Sequence, residues 1–171
     1  MHELAVTAIG KDQPGIVAAV TKVLHERGGN LEDSAMTILG GHFAIVLLVA
    51  TQDDPDDLHD ALASATGALG LTISVSRAEA TRTPAEPTHL LSVYGADRPG
   101  IVAGVTGALA DAGANVIDLE TQVIGADEEP VYAMLLELAT DAPEAVASAV
   151  AEACATLGVD HTLRAVDTET Y

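Results

Sequence analysis

Two tetrapeptides hold the groups best suited to chemistry: Asp12-Gln13-Pro14-Gly15 and Asp97-Arg98-Pro99-Gly100. Each is followed by an apolar run at helical spacing. The first turn of a helix leaves backbone N–H groups unpaired and carries partial positive charge, which suits a carboxylate. Asp12 and Asp97 are expected to cap that turn by accepting from its free N–H groups; alternatively they face a ligand ammonium. Pro14 and Pro99 are expected at the helix start, where proline loses no donor. Gly15 and Gly100 remove a side chain, so a ligand or a neighbouring backbone can come close. Asn30 and Asn115 form a second repeated pair, in Gly28-Gly29-Asn30-Leu31 and Gly113-Ala114-Asn115-Val116. A side-chain amide both donates and accepts, so it bonds either end of a zwitterion. Spacing alone leaves a blander alternative open, in which the loops are capped turns and each asparagine ends a helix.

These groups must be positioned by a repeated unit. Gly10 to Thr21 returns as Gly95 to Thr106, an offset of 85 residues (95 − 10) in a chain of 171. Such repetition predicts two copies of one fold. In the first copy, Glu3 to Ile9 alternates as a strand, and Ile16, Val20, Val23 and Leu24 recur as a helix that Gly28-Gly29 stops. Asn30 to Ile38 and Phe43 to Ala50 flank Gly40-Gly41 as a hairpin. Asp53-Asp54-Pro55 opens a second helix, Gly70 ends it, and Leu71, Ile73 and Val75 mark a last strand. The second copy follows suit: strand Leu90 to Tyr94, helix Ile101 to Ala112, hairpin Val116 to Ile124 and Val131 to Ala139, helix Pro143 to Leu157, strand Val159 to Val166. Phe43 aligns with Tyr132, an offset of 89, so the second hairpin is longer, with an acidic stretch Ala126 to Pro130.

The order β-α-β-β-α-β predicts an α+β fold: a four-stranded antiparallel sheet with both helices on one face, the ferredoxin-like arrangement. The expected domains are residues 1–78 and 89–171, joined by a proline-bearing linker at 79–88. Phe43, Ile45, Leu47 and Val49 are expected to face the helices, and Ala44, Val46, Leu48 and Ala50 to face away. That second set is apolar too, where a half-solvated strand alternates with polar residues. The first sheet is therefore expected to be partly covered, by the other copy or by another chain.

Composition narrows the function. The net charge of −19, with Lys11 and Lys22 the only lysines, argues against direct binding of nucleic acid or an anionic membrane, which rest on Lys and Arg. No apolar run is long enough to span a bilayer and no signal peptide is evident. One cysteine, Cys154, excludes an intrachain disulfide or a cysteine metal cluster. Together these predict a cytoplasmic protein. No catalytic constellation is found: the six histidines are scattered, Cys154 falls on an apolar helix face, Ser34 lacks a nucleophile-elbow context, and Gly10 to Gly15 lacks the Lys-Ser/Thr of a phosphate loop. No cofactor or metal is expected, and the chain is read as a non-enzyme.

Strand, Asp-x-Pro-Gly-Ile, helix, Gly-x-Asn, hairpin, helix and strand, twice over, resemble the ACT domain, a regulatory module that binds small molecules, mostly amino acids. The resemblance implies ligands held where two such domains meet, between the Asp-x-Pro-Gly loop of one and the Asn region of its neighbour. Carried over, Asp12, Pro14, Gly15, Ile16, Asn30 and Leu31 form one set, and Asp97, Pro99, Gly100, Ile101, Asn115 and Val116 the other. The tandem length and the run Leu31 to Phe43, with its Asp33-Ser34 and its Gly41 before Phe43, are similar to the glycine cleavage system transcriptional repressor family. That similarity implies action through a DNA-binding partner. The second copy lacks a strict Gly-Gly and has Asp127-Glu128-Glu129 in its hairpin, which predicts two non-equivalent copies.

The resulting expectation is an amino-acid sensor, with glycine or serine as first ligands, that controls a transcription factor or a metabolic enzyme as a homodimer. The alternatives are an aspartokinase-type regulatory subunit and an interaction module that binds no ligand.

Overall fold

The computed structural model describes residues 1–78, 85–124 and 130–166. The chain divides into two compact units, Met1–Thr83 and Pro84–Tyr171. Most of the predicted linker and of the acidic hairpin stretch lies outside the described residues.

The first unit runs β1 (His2–Lys11), α1 (Ile16–Glu26), β2 (Asn30–Leu39), β3 (His42–Thr51), α2 (Pro55–Thr66), a 3-10 turn (Gly67–Leu69) and β4 (Thr72–Arg77). The second runs β5 (His89–Ala96), α3 (Ile101–Asp111), β6 (Asn115–Ile124), β7 (Val131–Ala139), α4 (Pro143–Leu157) and β8 (Asp160–Ala165). Each unit forms one antiparallel four-stranded sheet, in the orders β2-β3-β1-β4 and β6-β7-β5-β8. This is the predicted ferredoxin-like α+β arrangement, present twice.

The elements form where local chemistry favours them. Gly28 at φ 71° closes α1: its N–H reaches His25 O, and the next N–H, of Gly29, reaches Leu24 O. This is the usual left-handed helix terminator, and Gly113 with Ala114 repeats it after α3. Asp54 caps α2, accepting from the Asp56 N–H at 3.2 Å, with Pro55 in the first helical position.

Each unit has its own core. In the first, Leu4, Val6 and Ala8 of β1 and Phe43, Ile45, Leu47 and Val49 of β3 pack on Ile16 and Val20 of α1 and on Leu58 and Leu62 of α2. In the second, Leu91 and Val93 of β5 and Met134, Leu136 and Leu138 of β7 pack on Val105, Leu109, Val146, Val150 and Cys154. Full burial of such side chains is worth about 1.5–3 kcal/mol each before chain entropy is charged against it. The alternation predicted for β3 is observed: its odd-numbered residues are buried from Phe43 to Val49, and Val46 on the other face is half exposed.

The edge strands differ from this pattern. All ten residues of β2 are exposed. Met36 stands opposite Ile45 and Ile38 opposite Phe43, on the helix side of the sheet, yet both remain about half exposed.

Candidate functional site

The Asp-x-Pro-Gly loops sit where the first strand of each unit passes into its first helix. Gly15 and Gly100 hold the position just before the helix, at φ 96° and 97°. Only glycine reaches this left-handed region at little cost. A Cβ at either residue would meet no heavy atom within 4 Å, so the glycines serve the backbone angle and face open space.

This geometry corrects two expectations. Neither α1 nor α3 has a side-chain cap. Glycine takes the cap position itself, which leaves Asp12 and Asp97 three residues upstream, and neither carboxylate bonds the first-turn N–H groups. Pro14 and Pro99 accordingly precede the cap rather than opening the helix. The first intrahelical bonds run from Ala19 N to Gly15 O and from Gly104 N to Gly100 O, both at 2.9 Å. The N–H groups of the first turn therefore have no side-chain acceptor, and the exposed Asp12 and Asp97 carboxylates stand nearby and uncommitted. The Ile16 and Ile101 side chains are buried in the two cores, so these residues can offer a ligand only their backbone.

Two residues that sequence reasoning passed over hold the loops in place. Gln13 Nε2 donates to Leu69 O at 2.8 Å. Arg98, at the matching position, donates from Nη2 to Leu157 O at 2.9 Å and to Gly158 O at 3.1 Å. In both units the variable residue of the motif ties the loop to the close of the second helical segment, the 3-10 turn after α2 in the first and the end of α4 in the second. A guanidinium on the final carbonyls of α4 also complements the helix dipole. In the first unit the Asp12 N–H bonds to Gly41 O at 2.9 Å, which fastens the loop to the β2–β3 turn. The signal was present in the sequence: a long donor side chain occupies the x position twice.

Asn30 and Asn115 open β2 and β6 and are exposed. In each case a register shift follows at once, between Leu31 and Asp33 and between Val116 and Asp118, and such a bulge re-aims side chains at a strand end. Within one unit the asparagine is not brought to the loop. Lys11, next to Asp12, pairs with His42, whereas Asn30 pairs with Ala50. Those partners are eight residues apart on β3 (50 − 42), about 27 Å at the usual strand rise. Ala96 and Asn115 are separated in the same way, through Val131 and Ala139. Leu31 is exposed, and Val116 packs partly on its core.

The Asn30 end of the first unit has its own polar cluster. Arg27 bonds to Asp53, which holds the guanidinium pKa up, and the His2 ring donates from Nε2 to Asp53 O at 2.7 Å. Cys154 is buried on α4, and desolvation pushes its thiol up, opposite to what a nucleophile needs. Among the described residues, no group of three or more His, Cys, Asp or Glu is placed to hold a metal ion, and no helix is long and apolar enough to cross a membrane.

The ACT domain model matches residues 2–76 and 88–164. The chain belongs to the ACT domain family. This tandem ACT protein is 30% identical over 145 residues to the glycine cleavage system transcriptional repressor of Escherichia coli (strain K12), a match covering 83% of this chain and 76% of the repressor. Among solved structures it superposes on an unknown protein from Galdieria sulphuraria with a TM-score of 0.82 and 34% identity, over 96% of this chain and 98% of the other. A putative glycine cleavage system transcriptional repressor superposes with a TM-score of 0.70 and 20% identity, over 96% and 97% of the two chains, a likeness of fold. ACT membership and homology to a repressor support a regulatory, small-molecule-binding role.

Proposed function

We propose that this ACT protein is an amino-acid sensor that acts on a partner protein and catalyses no reaction itself. The observation that carries the reading is the pair of uncapped helix starts. At Gly15 and at Gly100 the first-turn N–H groups have no side-chain cap, a Cβ on the glycine would meet nothing within 4 Å, and an exposed aspartate lies three residues earlier in the chain. An α-carboxylate fits the N–H groups and an α-ammonium fits the aspartate. Asp12, Pro14 and Gly15 with the Ile16 backbone form one half-site, and Asp97, Pro99 and Gly100 with the Ile101 backbone form its repeat.

Asn30-Leu31 and Asn115-Val116 serve as the complementary half-sites, each from a neighbouring sheet, because they lie about 27 Å from the loop of their own unit. A ligand bridging two sheets favours one arrangement of ACT domains over another, and that population shift is what a partner reads. The half-exposed Val46 face suits a homodimer. The relative named for repression of the glycine cleavage system makes glycine and serine the first ligands to test, and a transcription factor the first partner. The net charge of −19 supports action through that partner in place of direct DNA contact.

The test is a thermal-shift screen of the full chain against the twenty amino acids. A ligand at about 100 times its Kd adds about 2.7 kcal/mol. A selective upward shift that Asp12→Asn with Asp97→Asn reduces supports the reading. Flat melts with all twenty overturn it in favour of an interaction module that binds no amino acid.

A further inference from the structure

The second sheet has a polar cleft on the face turned away from α3 and α4, far from the loop. Strand pairing lays two rows of side chains across it. Asp118 of β6 stands opposite Glu137 of β7, and Leu90 of β5 stands between Glu137 and Arg164 of β8. In the next row Glu120 stands opposite Leu135, and Ser92 lies between Leu135 and Thr162. Asp118, Glu120, Glu137, Arg164 and Ser92 line a cavity of about 290 Å³ with Leu90 and Leu135.

Three observations mark this cleft as a site. Ser92 is only 7% exposed. Its hydroxyl has no hydrogen-bond partner among the described residues, and none of their buried polar side-chain atoms is sealed off without one. The hydroxyl therefore opens into the cavity that Ser92 lines, and a nearly buried hydroxyl of this kind gains from a partner that enters. Arg164 forms none of the ion pairs among the described residues, although three carboxylates line the same cleft. Finally, the fold does not demand these charges. The first unit carries Leu48 where the second has Glu137, Ser76 where it has Arg164 and Ala35 where it has Glu120, with only Asp33 matching Asp118.

We propose that this cleft binds a basic amino acid. Arg164 presents a two-pronged donor to the ligand carboxylate. Glu137, Asp118 and Glu120 receive the cationic end, Leu90 and Leu135 support the aliphatic stem, and Ser92 bonds a polar group above it. Glu137 and Arg164 are two strands apart, about 10 Å between backbones. Leu90 stands between them on the same face, so the opposite charges flank an apolar floor on which the aliphatic stem of a lysine or arginine can lie. Three carboxylates against one guanidinium match a ligand of net positive charge. The Asp97–Gly100 loop lies beyond the other end of β5, so this site stands or falls separately from the loop sites.

The experiment is calorimetric titration of the full chain with L-lysine and L-arginine, using 1,5-diaminopentane as the probe that lacks a carboxylate. The expected result is one site per chain for at least one of the two amino acids. Arg164→Gln and Glu137→Gln should each weaken it about tenfold or more, and Asp12→Asn with Asp97→Asn should leave it unchanged. The diamine should bind more weakly than the amino acid to the parent protein and equally to Arg164→Gln. Both changes are at solvent-accessible positions, and a circular dichroism spectrum checks the fold. No heat with either amino acid overturns the proposal, as does binding that survives both cleft variants or is lost in the loop variant.

Discussion

Gln13 donates a hydrogen bond to the Leu69 carbonyl across 56 residues of sequence, and so couples the Asp-x-Pro-Gly loop to the end of the second helical segment. Arg98 makes the equivalent link with two bonds, to Leu157 and Gly158. The loops are thus held from behind, by side chains that leave the helix start open in front. Gln13→Ala should lower the stability of the first unit by about 1 kcal/mol, and Arg98→Ala that of the second by about 1–2 kcal/mol. For domains of this size each kcal/mol moves Tm by about 4–8 °C, which differential scanning calorimetry resolves. Arg98→Lys should recover only part of the loss, because an ammonium on a flexible stem does not present the same fork of donors.

Gly95 at the end of β5 and Gly100 in the loop that follows should respond to substitution in two different ways. Gly100→Ala meets no neighbour but sits at φ 97°, so its cost, about 1–2 kcal/mol, is conformational. Gly95→Ala brings a Cβ to 2.6 Å from a Val159 methyl carbon, so its cost, about 1–3 kcal/mol, is overpacking. A double-mutant cycle with Val159→Ala separates them. Gly95→Ala should couple to it, and Gly100→Ala should be additive.

The Asp54 cap should be worth about 1 kcal/mol to α2. Asp54→Ala removes the acceptor for the Asp56 N–H and the contact with Arg77. Asp54→Asn keeps the acceptor and should restore most of the stability, as read from urea unfolding midpoints.

Cys154 sets an alkaline limit. Its thiol pKa is raised in the folded chain by burial, above the ordinary value of about 8.5. The folded state therefore retains a proton that the unfolded state releases. Stability should be unaffected below about pH 8 and should fall as pH rises past the unfolded value. Cys154→Ala should remove that component of the decline. In the native protein near neutral pH the thiol should resist Ellman's reagent until unfolding exposes it.

Much of the fold was legible because pattern and punctuation agreed. The apolar run Phe43 to Ala50 beside Gly40-Gly41 was legible as a strand although both its faces are apolar, and Pro143 to Leu157 was bounded by a proline and Gly158. The exposure of Met36 and Ile38 was not legible. Their apolar character points to the core, but the helices do not cover the edge strand, and coverage is a tertiary property. The capping expectation for Asp12 and Asp97 failed because a left-handed glycine displaced them from the cap, which residue type does not reveal. The cleft of Ser92, Glu137 and Arg164 escaped notice because its members come from separate strands and meet only through register. Asn30 was legible as a strand start, whereas the matching strand was expected to begin at Val116 and opens one residue earlier, at Asn115; the distance of both from the loops follows only from strand direction.

The exposed edge strands give the surplus of negative charge a second meaning. β2 and β6 end their sheets with a row of backbone groups that any other strand can zip onto. At −19, two such chains repel before their edges meet. That shield is only as thick as the ionic atmosphere, about 10 Å at 0.1 M salt and about 3 Å at 1 M. The colloidal behaviour of the protein is therefore tied to its solvent: concentrated stocks should stay clear in dilute buffer and grow particles on salting, a trend that dynamic light scattering would follow directly.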